Sequence, residues 1–252
     1  MKKEVTSIKN KILPIAILIA IIFLWELIVD IKNIKPYILP APSAIINEFI
    51  NSFSVLMKHT ATTFFETILG FVIGTIVAIL LSLLLDKFLT FKSVVYPYLV
   101  ISQTIPLVAL APILAIWFGF GLLPKVLLAV LVVFFPITLS LTEGLSTYNR
   151  ELYEMMIQMG ANKKQIFLKL KLPSASTYFF SGLKIAAAYC VMGAVISEWV
   201  GAKQGLGIYL TRAMSSFKTA ALFADILIIV LISIFLFKLI EYIERRVIRW
   251  EE

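Results

Sequence analysis

Residues 66–85 read E-T-I-L-G-F-V-I-G-T-I-V-A-I-L-L-S-L-L-L, and after Glu66 no charged side chain interrupts the run. A helix rises about 1.5 Å per residue, so about 20 such residues cross the hydrocarbon of a bilayer. Five further stretches qualify on either side: Ile12–Val29, Val94–Phe118, Leu122–Leu141, Tyr178–Val200 and Ala221–Ile240. The expected fold is therefore all-α: a polytopic membrane protein with about six spans and a cytoplasmic loop between spans four and five, forming a single transmembrane domain over 1–252. Composition agrees. Of 252 residues 60% are hydrophobic and 15% charged, with a mean hydropathy of +0.97. A soluble domain carries about 45–50% apolar and about 25% charged residues, so this excess has no globular core to hide in.

Lys2, Lys3, Lys9 and Lys11 precede the first apolar run, as in a signal peptide. No small-x-small cleavage site follows, however; Trp25, Glu26 and Asp30 do, so the run is expected to stay as a first span. With the N-terminus placed in the cytoplasm, 15 of the 23 Lys and Arg fall on inner segments, seven on outer segments, and Lys184 within the fifth span. That asymmetry places both termini in the cytoplasm. It also assigns the formal charge of +8 to a membrane surface and its lipid, with no nucleic-acid partner.

The third run contains Pro97, Pro106 and Pro112. Proline frees helix carbonyls that neighbours must satisfy, so a kinked span packed inside the bundle is expected. Gly70 and Gly74 have the GxxxG spacing of close helix contact, a spacing that also arises by chance in membrane helices. Cys190 is the single cysteine, which excludes an intrachain disulfide; it is read as a small apolar packer. His59 is the single histidine, read as a surface residue. No metal site and no catalytic residue is expected, because neither ligand spacing nor a Ser/His/Asp set occurs.

Outside the spans lie 31–63, with a short amphipathic helix expected at Ser43–Phe53; 143–176, the longest inner loop; and 201–220, with Gly201, Gly205 and Gly207. Within the inner loop, Asn149–Pro173 reads N-R-E-L-Y-E-M-M-I-Q-M-G-A-N-K-K-Q-I-F-L-K-L-K-L-P. It predicts two short helices. The first runs over Arg150–Met159, with Asn149 or Thr147 as N-cap, Glu151 and Glu154 in the early turns, and Gly160 as the left-handed C-terminal residue. The second follows Asn162, with Gln165 completing a capping box, and ends at Pro173. Leu152, Met155, Met156 and Met159 give the first helix an apolar face. It suits either the protein's own bundle or the groove of a partner.

The loop resembles that of binding-protein-dependent ABC transporter permeases, whose motif is Glu-Ala-Ala, three residues, Gly, nine residues, Ile-x-Leu-Pro. Here Glu154, Met155 and Met156 precede three residues and Gly160, and nine residues later come Leu170, Lys171, Leu172 and Pro173. The departures are Met155 and Met156 for two alanines and Leu170 for isoleucine. Three more segments resemble the nitrate, sulfonate, taurine and thiamine-precursor branch: Leu39–Ser43, Ile105–Gly121 and S-E-W-V-G-A-K-Q-G-L-G at Ser197–Gly207. The wording of the last tilts the resemblance toward the pyrimidine precursor of thiamine.

The resemblance implies a permease of the bacterial cytoplasmic membrane (its plasma membrane), two copies of which form the pathway for a small solute. It implies that Glu151, Glu154, Met155, Met156, Gly160, Ala161, Leu172 and Pro173 couple to a separate ATPase subunit. It implies as well an extracytoplasmic solute-binding protein. The chain has no G-x-x-x-x-G-K-[ST], the run whose amides cradle phosphate. ATP and Mg are accordingly expected on the partner, with no cofactor and no enzymatic activity on this chain. Among ionisable residues in spans, Glu198 and Asp225, with Gly205 and Gly207, are candidates for an outer gate or pathway. Lys184 is expected to snorkel inward, and Glu26 and Glu66 to act as interfacial anchors. An ATP-independent secondary transporter or channel is the competing reading.

Overall fold

A computed structural model describes residues 2–248, with side chains from Leu13 onward. The side chains of Lys2, Lys3, Lys9 and Lys11, and all of Arg249, which enter the charge asymmetry, lie outside the described residues. The elements in order are α1 (Lys2–Ile31), α2 (Pro42–Asn51), α3 (Phe53–Lys87), α4 (Leu89–Ser102), α5 (Leu107–Phe118), α6 (Leu122–Ser146), α7 (Arg150–Gln158), α8 (Lys163–Ile166), a π-helical stretch at Phe167–Lys171, α9 (Leu172–Glu198), α10 (Leu206–Ser215) and α11 (Thr219–Val247). No strand occurs among the described residues. Among the described residues five helical segments are long and apolar enough to cross a membrane, and α4 with α5 makes a sixth if counted as one broken span.

That broken span corrects the expectation of one kinked helix over Val94–Phe118. The chain bends by 102° between α4 and α5. Pro106 is held extended at φ −62°, ψ 120°. Its ring also keeps Ile105 from helical angles, so α4 stops at Ser102 and α5 restarts at Leu107. Nor is the whole span inside the bundle: α4 buries no residue, while α5 buries Ala111, Leu114 and Ala115.

Pro173 is the second correction. It does not end the helix, which passes from α8 through the π-helical stretch into α9. Leu172 is helical at φ −65°, ψ −44°. Proline tolerates the first turn of a helix, where its missing N–H has no intrahelical duty. The Ser174 hydroxyl donates to Leu170 O at 2.9 Å and the Ser176 hydroxyl to Pro173 O at 2.6 Å, so side chains serve carbonyls around the irregular turn. The segment 31–63 also holds more helix than expected, since α3 starts at Phe53.

The described backbone gathers into two compact units, 2–58 with 209–228, and 59–208 with 229–248. In the first, the Glu26 carboxylate of α1 accepts from the Ser43 N–H (3.0 Å) and hydroxyl (2.6 Å). The expected anchor thus caps the first turn of α2, where an anion is favoured. Trp25 meets Phe223 at 5.7 Å between ring centroids, and the Thr219 hydroxyl donates to Tyr37 O at 2.8 Å.

In the second unit α6 and α9 form the most extensive helix pair, and small residues are the reason. A Cβ on Gly144 would meet Tyr178 Cβ at 2.6 Å, one on Gly182 would meet Pro136 O at 2.9 Å, and one on Gly193 would meet Val132 Cγ2 at 2.7 Å. Bare backbone at these positions lets the two axes approach, the usual device where lipid removes the hydrophobic drive between helices. Gly74 packs likewise on α6 beside Val133, so the Gly70/Gly74 pair marks a real contact. Replacing Gly182 with leucine is expected to destabilise the bundle by about 1–3 kcal/mol through overpacking. Heating in detergent, followed by the fraction surviving gel filtration, measures it; an unchanged midpoint would mean that the seam is not tight there. The Lys184 Nζ pairs with both oxygens of Glu244, in the last turns of α11, at 2.9 and 3.0 Å.

Candidate functional site

The α7–α8 segment is built as the spacing predicts. The Asn149 side chain accepts from Leu152 N–H at 3.0 Å, and Glu151 lies in the first turn. At the other end Gly160 stands at φ +79°. Its N–H donates to Ile157 O, and the Ala161 N–H to Met156 O, both at 2.9 Å. This is the paired closure of a helix by a left-handed glycine. Asn162 and Gln165 then exchange side-chain and backbone hydrogen bonds at 2.8 and 2.9 Å, a complete capping box. The turn is thus fixed by local bonds alone. Arg150 and Glu154 pair at 3.0 Å on the exposed side. Leu152 (44% exposed), Met155 (48%), Ile157 (49%) and Met159 (77%) remain open, and Met156 is half-buried. A short rigid helix outside the spans with such a face is shaped for a partner.

Leu172 and Pro173 do not join this surface. They sit in the first turn of α9 and line an apolar cavity.

At the far end of α9 lies a buried polar knot. Glu198 is wholly buried. The Thr63 hydroxyl donates to its Oε1 at 2.7 Å, and the Gly207 N–H donates to its Oε2 at 2.5 Å. The Thr63 oxygen in turn accepts from Leu206 N–H at 2.8 Å. His59, expected on the surface, is buried here. Its Nδ1 stands 3.0 Å from the Gly205 N and 2.8 Å from the Gly205 O. Nδ1 therefore accepts from the amide when bare, or donates to the carbonyl when it carries the proton. Gly205 is at φ +132° and leaves no room for a Cβ beside the Glu198 carboxyl. Glu66, expected as an anchor, interacts with Glu198 and pairs with Lys125 at 2.7 Å in a buried position.

The structure thus brings together Glu198, Gly205 and Gly207 of the sequence candidates. Asp225 is fully buried on α11, with neither carboxylate oxygen hydrogen-bonded to a described residue. His59, Thr63, Glu66 and Lys125 are the members that sequence reasoning missed. The available sign was polarity: a histidine, a threonine and a glutamate recur at four- and three-residue steps along one helix face at 59, 63 and 66.

The profile of the binding-protein-dependent transport system inner membrane component family matches residues 70–249. The chain belongs to that family. This permease is 38% identical to the formylaminopyrimidine transport permease protein ThiX of Halalkalibacterium halodurans, over 95% of this chain and 96% of that one. It is 33% identical to the riboflavin transport system permease protein RibX of Chloroflexus aurantiacus, over 95% and 90%. It is 23% identical to the taurine transport system permease protein TauC of Escherichia coli, over 94% and 89%. It is a multi-pass inner-membrane transport component of an ABC importer.

Proposed function

We propose that the permease carries a pyrimidine precursor of thiamine, of the formylaminopyrimidine kind, and that α7–α8 docks on a separate ATPase that binds ATP and Mg. The observation that carries the docking is the pre-set turn at Gly160 beside an uncovered apolar helix face. The substrate rests on the 38% identity to ThiX across nearly the whole of both chains. Sulfonate, nitrate and taurine are the less supported cargoes, given the lower identity to TauC.

In this reading two copies face each other and both termini are cytoplasmic, so α7–α8 lies inside and the Glu198 knot outside. A cavity of about 300 Å³ sits at the α4–α5 break, with Ser102, Gln103 and Tyr189 among apolar Leu110, Phe135 and Met192. Aromatic and thioether walls with a few polar groups suit a small heteroaromatic ring. ATP binding draws the two α7–α8 segments together. The helices then rock as rigid bodies, and the 199–207 loop, tied to Glu198, moves with α9 to open toward the docked binding protein.

Gentle extraction of the tagged chain from its native membrane should recover a P-loop ATPase in about equal amount. Vesicles holding the complex and the binding protein should take up labelled formylaminopyrimidine only with ATP inside. Uptake without ATP, from a chain that purifies alone, would defeat the reading. ATP-driven uptake of taurine in its place would correct the substrate and leave the docking intact.

A further inference from the structure

Two cavities adjoin at the end of the bundle that carries α7–α8, and they share Leu83 and Phe167 as a common wall. The first, of about 570 Å³, is walled by the ends of α3, α6 and α11 and the start of α9, through residues such as Ile79, Leu145, Phe179 and Val247. Its one polar residue is Ser176, whose hydroxyl is already spent on Pro173 O. The second, of about 580 Å³, holds Lys87, Lys163 and Lys171 against Asp86 alone, with Tyr153 of α7 at its rim. Lys171 is paired with Asp86 at 2.7 Å, whereas neither Lys87 nor Lys163 is ion-paired with a described residue. An apolar slot thus abuts, across Leu83 and Phe167, a pocket with two cations that have no ion-pair partner among the described residues, and this occurs where three membrane-crossing helices end.

We infer that this composite cavity is a binding site for one anionic phospholipid of the surrounding leaflet, its acyl chain along Leu83 and Phe179 and its phosphate between Lys87 and Lys163. The occupant follows from the pairing of walls. A soluble anion has no use for the apolar slot, an apolar peptide segment has none for the lysines, and a zwitterionic lipid would leave the positive charge uncompensated. The phosphate sits beside Tyr153, so the lipid ties the end of α3 to the base of α7. The inference does not depend on what α7 docks against.

The test is native mass spectrometry of the full-length chain in detergent, titrated with phosphatidylglycerol or phosphatidylcholine of the same acyl chains. One phosphatidylglycerol should bind each chain in preference to phosphatidylcholine. Each lysine near an anionic lipid surface contributes about fivefold to binding, so the double variant Lys87→Gln/Lys163→Gln should weaken that site by about 25-fold. Lys164→Gln/Lys169→Gln removes the same charge outside the cavity and should cost much less. Ser176→Trp, which fills the slot, should also weaken binding, with gel filtration reporting that the fold survives. Equal binding of the two lipids, or equal loss from the two lysine pairs, would overturn the site in favour of general surface attraction. Unchanged lipid binding by Ser176→Trp together with loss of a chain dimer would show that a second copy fills the slot.

Discussion

Glu198→Ala is expected to lower the unfolding midpoint of the solubilised permease more than any other single substitution at the end of α9. The Gly207 N–H then loses its carboxylate acceptor, and losing such a charged partner at a buried site costs about 1–3 kcal/mol. The missing carboxyl adds a void in a place where backbone from 205–207 is packed against it. A total of about 2–5 kcal/mol follows. Thr63 suffers less, because its hydroxyl stands 3.3 Å from His59 O and can turn there. Glu198→Gln keeps the shape and one acceptor. With its oxygen on the Gly207 N–H and its amide toward Thr63, it should cost well under half as much. The comparison is read by heating in detergent and by protease cleavage within 199–205, which should accelerate in the alanine variant and much less in the glutamine one. Two variants as heat-resistant as the parent would remove Glu198 from its role as anchor of the loop.

That anchor shows where the sequence stopped being informative. The α7–α8 turn was legible almost atom by atom, because every bond that makes it joins residues within five positions of one another. Asn149 reaches Leu152, Asn162 reaches Gln165, and Gly160 closes its own helix. The spans were legible for a different reason: their length answers to the bilayer thickness, a constant outside the chain. Pairings across the bundle have neither advantage. His59 finds Gly205 at a separation of 146 residues, and Lys184 finds Glu244 at 60. The polar face at 59, 63 and 66 marks His59 locally, but nothing local names the distant backbone it will meet.

The two misread prolines share one cause. For Pro106 and Pro173 alike the outcome depends on the bonds that the surrounding turn can make. At Pro106 the preceding Ile105 keeps a turn bond to Ser102 O at 3.2 Å, outside the helical ladder, and the span broke. At Pro173 a π-helical stretch and the hydroxyls of Ser174 and Ser176 took up the local irregularity, so the helix ran through. The sequence held those serines, but their role appears only once the wider turn exists.

Gly160→Val is expected to cut transport about tenfold while leaving the bundle as stable as before. A Cβ at this position would touch nothing within 4 Å, so the substitution creates no clash, and its cost lies in the backbone. Holding a β-branched residue at φ +79° costs about 1–2 kcal/mol. Since about 1.4 kcal/mol is a factor of ten in population, most molecules would abandon the closed turn and present α7 at another angle. The turn is exposed and its bonds are local, so the spans should not register the change. If the Gly160 turn aims the Leu152–Met159 face at the ATPase, the affinity of the purified partners should fall by the same factor as transport. Asparagine tolerates the left-handed region, so Gly160→Asn should restore most of both. That rescue separates the required backbone angle from any need for a bare surface. Asparagine as damaging as valine would mean that the ATPase contacts the glycine itself, and a valine variant with full transport would mean that the turn does not couple the two subunits.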